Sequence, residues 1–144
     1  VLERVPAEEL FRRTGLQFMY FNSLFQMMAV HQRQPHLAPL IDTLLLMPDL
    51  FHFWLSGQRV AEYTNASTSQ MLECRRRQWD TELLARLDLP TSFLPPLVEP
   101  GTTVGTLRPV LAEAVGLDAS VRVTCPATHD TASAVAATPG TGND

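Results

Sequence analysis

Arg122-Val-Thr-Cys-Pro-Ala-Thr-His-Asp-Thr-Ala-Ser-Ala-Val-Ala-Ala137 is the stretch whose reading decides the fold. Val121 and Val123 flank Arg122 in alternation, which predicts a short strand. Pro126 removes a backbone donor and stops the ladder. His129-Asp130 follows, then a run of small residues that tolerate a helix, closed by Pro139. Strand, tight loop carrying an acid, then helix is the layout in which α/β proteins place ligands beyond the carboxyl ends of strands. Asp130 has two readings that can coexist. It is a helix N-cap accepting backbone N–H bonds, worth about 1 kcal/mol. It is also a carboxylate held ionised by the helix dipole, and so suited to accept a proton.

The rest of the 144 residues bounds the class. An apolar content of 45% with 18% charged residues fits a folded domain with a real core. The net charge of −4 argues against general binding to nucleic acid, whose phosphates need clustered cations. All 11 basic residues are arginine, so a Schiff-base lysine and the lysine of a phosphate loop are both excluded from this sequence. Arg75-Arg76-Arg77 is the one basic run and reads as a solvated face. No apolar run approaches the roughly 20 residues that span a bilayer. Cys74 and Cys125 lack metal-site spacing, so the expected setting is the reducing cytoplasm. His31 and His36 lie either side of Pro35 and cannot share a helix face, and His52 reads as a hydrogen-bonded core residue, so no metal site is expected.

Along the chain, Pro6 to Gly15 predicts a short helix, with Glu8 and Glu9 at its positive end and Arg12 and Arg13 at its negative end. Asn22 is placed to cap a second helix, whose apolar face is Phe21, Leu24, Phe25 and Met28. Met47 to Gly57 predicts a third, apolar on most of its circumference and therefore expected deep in the domain. Arg59 to Thr64 is a weak strand candidate. Asn65 to Ser69 is either a turn and cap or a loop lining a polar pocket, the turn being favoured. Asp80 caps a helix carrying Leu83, Leu84 and Leu87. Pro90 to Pro100 is extended and irregular, Gly101 to Leu107 a strand, and Pro109 to Gly116 a helix.

These segments together resemble the FGGY carbohydrate kinases. The resemblance runs from about Arg13 to Pro139. It is carried by Thr14-Gly-Leu-Gln-Phe18, Leu46-Met-Pro-Asp-Leu50, Trp54-Leu-Ser-Gly57, Glu62-Tyr-Thr-Asn-Ala-Ser-Thr68, Trp79-Asp80, Val98-Glu-Pro-Gly101 and Thr128-His-Asp-Thr-Ala-Ser-Ala-Val-Ala-Ala137. The Tyr-Thr-Asn-Ala-Ser-Thr and His-Asp-Thr blocks are closest to the rhamnulokinase branch.

The resemblance implies an actin-like, ribonuclease-H-like α/β fold: two domains, the sugar deep on the first and ATP mainly on the second. It implies that residues 1–139 are the latter part of the sugar-binding domain and that 140–144 begin a loop towards an ATP-binding domain beyond this sequence. It implies phosphorylation of L-rhamnulose at its 1-hydroxyl, with Asp130 as the base and His129, Asp130 and Thr131 as sugar contacts. ATP and Mg²⁺ would be held mainly by parts not in this chain, and the chain alone would turn nothing over. The partners expected are the ketose and the rest of the kinase, with no nucleic acid and no membrane. Three alternatives stand beside this: a related kinase for L-fuculose or D-xylulose, a non-catalytic sugar-binding domain of the same descent, and a metal-dependent phosphohydrolase of the His-Asp type. The last has an all-helical fold, which the β-branched run before Pro126 disfavours.

Overall fold

The computed structural model describes residues 1–140; residues 141–144, where the expected loop would continue, lie outside the described part. Seven helices alternate with short strands among the described residues: α1 (Ala7–Thr14), α2 (Ser23–Arg33), α3 (Met47–Ser56), β1 (Ala61–Glu62), α4 (Tyr63–Ala66), β2 (Leu72–Glu73), β3 (Gln78–Trp79), α5 (Thr81–Arg86), β4 (Leu97–Val98), β5 (Thr103–Thr106), α6 (Pro109–Val115), β6 (Arg122–Thr124) and α7 (Asp130–Ala137). The strands form three pairs. β1 and β4 are parallel, while β2 with β3 and β5 with β6 are antiparallel.

The main core is aliphatic. Val5, Leu10, Leu24, Met71, Leu83, Leu84 and Leu87 are fully buried, with Met28 and Leu89 beside them. It joins α1, α2 and α5. Helix α1 ends as expected on Gly15, at φ 71°, whose N–H bonds to the Phe11 carbonyl. Asp80 caps α5 by accepting from the Leu83 N–H at 2.9 Å. Asp80 also receives both hydrogen bonds from the Arg13 guanidinium at 3.1 Å, tying α1 to α5. Trp79 anchors the extended proline segment by donating its indole N–H to the Pro95 carbonyl at 2.8 Å.

Three expectations are corrected. Asn22 occupies the N-cap position of α2, but its side chain caps nothing. Its amide is drawn instead to the buried Gln70 side chain at 3.0 Å and to the Gln17 carbonyl. Helix α3 does not lie deep. Only Asp49 and His52 are buried on it, while Phe51, Trp54 and Leu55 are exposed. The polar residues Asp49, His52 and Ser56 recur at helical spacing, and this stripe, not the apolar side, turns inward: Asp49 meets the Glu62 N–H of β1 and His52 the Cys125 thiol just past β6. The predicted strand before Asn65 shrinks to two residues, because the Glu62 side chain accepts from the N–H groups of Thr64 and Asn65 and starts α4. The arginine run is exposed, as expected, and Arg77 within it lies 3.7 Å over the Tyr63 ring and pairs with Glu99 on the surface.

Candidate functional site

Val123, buried on β6, and Cys125, fully buried just beyond it, fix the entry to the site. The chain then turns at Pro126 and enters α7. His129, not Asp130, is the N-cap: its backbone is extended and its Nδ1 accepts from the Thr131 N–H at 3.2 Å. Asp130 is the first helical residue, so its expected cap role passes to its neighbour. The Asp130 Oδ1 accepts from the same N–H at 2.7 Å and from the Thr131 hydroxyl at 3.3 Å. With Nδ1 accepting, the imidazole hydrogen is on Nε2, leaving a free donor beside the carboxylate.

The Asp130 side chain is 95% exposed. It is neither covered by packed side chains nor placed mid-helix. A carboxylate on the first turn benefits from the unpaired N–H groups there. Beside it runs an open groove of about 340 Å³. One wall is Tyr63, Thr64, Ser67 and Thr68; the other includes His129 and Thr131. The turn reading of Asn65 to Ser69 holds and the polar-pocket reading does not: the segment is a helical turn whose Ser67 and Thr68 hydroxyls bond back to the Thr64 and Asn65 carbonyls, and the groove it flanks, which also includes Ala132 and Val135, is mainly apolar. The structure brings His129, Asp130 and Thr131 together on one exposed turn.

Beneath this turn lies a polar cluster that sequence reasoning missed. Glu62 is fully buried. Its Oε1 accepts from the Thr64 N–H at 2.8 Å. Its Oε2 takes the Thr64 hydroxyl at 2.5 Å, the Thr128 N–H at 3.0 Å and the Thr128 hydroxyl at 2.7 Å. Burial pushes the Glu62 carboxyl up, but the hydrogen bonds from Thr64 and Thr128 outweigh it and leave the group below its ordinary range. Asp49, also fully buried, accepts from the Glu62 N–H at 3.0 Å through one oxygen, while its Oδ2 has no partner. Burial, with the nearby Glu62 charge adding to it, lifts the Asp49 carboxyl to about 6. His52, predicted as a hydrogen-bonded core residue, meets the Cys125 thiol at 3.3 Å. Burial pushes that thiol up to about 11, which makes it a poor nucleophile. The spacing of Asp49, His52 and Ser56 signalled only the α3 side of this cluster.

Among the described residues no group of three His, Cys, Asp or Glu is arranged to hold a metal ion. None of their helices is long and apolar enough to cross a membrane. The His-Asp pair follows a strand in a mixed α/β chain, which removes the main structural support for an all-helical phosphohydrolase.

Known proteins match this arrangement. The chain is 43% identical over 137 residues to a rhamnulokinase of Yersinia pestis, covering 95% of this chain and 27% of that protein. It is 37% identical over 139 residues to a rhamnulokinase of Oceanobacillus iheyensis, covering 96% and 29%. The chain thus spans under a third of the length of these relatives. Among solved structures, a xyloylose kinase from Brucella ovis superposes with a TM-score of 0.75 at 27% identity, over 81% of this chain and 24% of that one. The family model for the N-terminal domain of the FGGY carbohydrate kinases matches residues 2–137. With that match spanning nearly the whole sequence, the chain belongs to the FGGY family of carbohydrate kinases and has the actin-like α/β fold of its N-terminal domain.

Proposed function

We propose that this chain is the latter part, residues 1–139, of the sugar-binding domain of a kinase that phosphorylates L-rhamnulose at its 1-hydroxyl. One observation carries the reading: the Asp130 carboxylate stands exposed at the head of α7, with His129 and Thr131 lining the groove beside it. Identity to rhamnulokinases at 37–43% supports the choice of sugar. In this reading Asp130 takes the proton of the attacking hydroxyl as the oxygen bonds to the γ-phosphorus of ATP, whose bond to the bridging oxygen breaks to release ADP. An oriented carboxylate within hydrogen-bond reach contributes about 10²–10⁴-fold to such a step. The His129 Nε2–H donates to a sugar oxygen, and the Thr131 hydroxyl, whose hydrogen goes to Asp130, accepts from a sugar hydroxyl; together they set the angle of approach. ATP is the second substrate, and Mg²⁺ neutralises charge on its phosphates. Residues outside 1–140 hold both, so residues 1–144 alone show no turnover.

A second reading, a kinase for another ketose such as D-xylulose, is favoured by the likeness to the Brucella ovis enzyme. A panel of L-rhamnulose, L-fuculose and D-xylulose with ATP, run on the full-length protein, separates the two. Asp130→Asn in that protein is expected to lower kcat by about 10²–10⁴-fold with sugar affinity retained. Full activity in that variant would remove the base assignment. Sugar binding with no phosphorylation of any ketose by the unaltered full-length protein would leave only a non-catalytic sugar-binding domain.

A further inference from the structure

Helix α7 buries none of its residues among the described part of the chain. Apolar packing therefore does not fix where its first turn sits, although a general base must be held to within a fraction of an ångström. Polar ties do this instead, and they converge on Glu62. Every group within hydrogen-bond range of its carboxylate is a donor: the N–H and hydroxyl of Thr64, the N–H of Asn65, and the N–H and hydroxyl of Thr128. Thr128 precedes His129 directly. Thr64 completes the connection, because the hydroxyl that donates to Glu62 accepts from the His129 N–H at 3.2 Å. Glu62 thus grips one residue of the turn itself and the next through Thr64. The cap at the start of α4 and the clamp on the start of α7 are the same carboxylate.

We infer that Glu62 and Thr64 are positioning residues that set the place of the Asp130 carboxylate, an inference that rests on the kinase reading and goes beyond it. Neither residue needs to exchange a proton with substrate. Thr64 matters through one oxygen that faces two ways, so its size is incidental and its hydroxyl is not. Glu62 matters as an acceptor on both oxygens, so an amide of the same shape presents an N–H₂ group to donors and breaks the clamp.

The test uses the full-length protein. Thr64→Val keeps the shape and removes the hydroxyl; Thr64→Ser keeps the hydroxyl and trims the methyl. The expected results are a kcat lowered at least about 10-fold in Thr64→Val, a loss of about 100-fold in Glu62→Gln, and Thr64→Ser within about three-fold of the unaltered protein. The KM for ATP stays unchanged throughout. Amide hydrogen exchange across residues 128–131 rises at least about 10-fold in Thr64→Val and not in Thr64→Ser. That second readout needs no turnover. A merely structural role would lower Tm and leave both kcat per folded molecule and local exchange untouched. Wild-type kcat and exchange in a folded Thr64→Val, or equal losses in Val and Ser, overturn the inference. If Glu62→Gln fails to fold, the Thr64 pair still decides. Asp130→Asn run in parallel keeps the two levels apart. An inactive Asp130→Asn with a fully active Thr64→Val defeats the clamp alone, whereas an active Asp130→Asn defeats the base assignment beneath it.

Discussion

The two ends of the described chain are held by different forces. Around α1, α2 and α5 the buried side chains are Leu10, Leu24, Met28, Leu83, Leu84 and Leu87. Around α3 and α7 the buried side chains of the helices are Asp49 and His52, and α7 contributes none. Apolar burial is non-directional and contributes about 1.5–3 kcal/mol for each large aliphatic side chain. A carboxylate with five surrounding donors gives less net stability, but it fixes angles and distances. The leucine end supplies stability, and the site end supplies position. In the proposed reading, the contrast explains how an exposed first turn could carry a base: Glu62 and Thr64 would locate its backbone and leave the Asp130 side chain free.

The largest expected effect tests the first half of that contrast. Leu84→Ala, at a fully buried position in the leucine core, is expected to cost about 2–5 kcal/mol in urea unfolding. The matched change at the site end, Val135→Ala on α7, 70% exposed, is expected to cost less than about 0.5 kcal/mol. Similar losses at the two positions would show that α7 is packed as firmly as α5.

The next effect, about 3 kcal/mol, concerns pH. Asp49 has a folded-state pKa of about 6 against an ordinary 3.8, because burial disfavours its charged form. The folded protein therefore binds this proton more tightly than the unfolded chain. The resulting stabilisation is fully present below about pH 4 and is lost as pH rises through 6; a shift of this size corresponds to about 3 kcal/mol. Asp49→Asn keeps an oxygen for the Glu62 N–H and cannot titrate. The stability difference between the unaltered protein and this variant should fall by about 2–3 kcal/mol from pH 4 to pH 8. Glu62, whose folded pKa lies below its ordinary 4.5, has the opposite sign and acts at lower pH. Glu62, His52 and Cys125 are present in both proteins, so the difference reads the Asp49 proton together with its coupling to the Glu62 and Cys125 charges. A flat difference across that range would mean that Asp49 is ionised and solvated in the fold.

How much of this was legible follows the same division. The leucine end was readable because local rules and tertiary packing agree there: Asp80 caps, Leu83, Leu84 and Leu87 point inward, and Gly15 stops α1 at positive φ. The turn from β6 into α7 was readable because β-branching and Pro126 are local signals. The site end was misread where polarity replaced packing. Helix α3 has enough aromatic residues to suggest a buried element, yet its inward stripe is Asp49, His52 and Ser56. The cap of α7 fell to His129 because its Nδ1 reaches the Thr131 N–H, a choice between adjacent residues that spacing cannot make. Glu62 and Thr128 lie 66 residues apart, and nothing in either neighbourhood announces their contact.

The smallest effect sharpens the comparison from the leucine side. That end also carries surface charge: Arg4 pairs with Asp88, and Arg86 with Glu9. The part-buried Arg13–Asp80 pair already ties α1 to α5 by directional contacts, so the contrast is one of degree, and it would fail if exposed pairs such as these also held the backbone there. Asp88 sits just after α5 at φ 56°, a left-handed conformation that Asn and Asp tolerate better than most residues. Asp88→Asn keeps that tolerance and removes only the charge facing Arg4. Both partners are largely exposed, so water and salt screen their attraction. The expected loss is below about 0.5 kcal/mol at low salt and vanishes at about 1 M salt. A loss above about 1.5 kcal/mol that persists in high salt would place this pair among the forces that hold the core. The division between packed leucines and positioned carboxylates would then have to be redrawn.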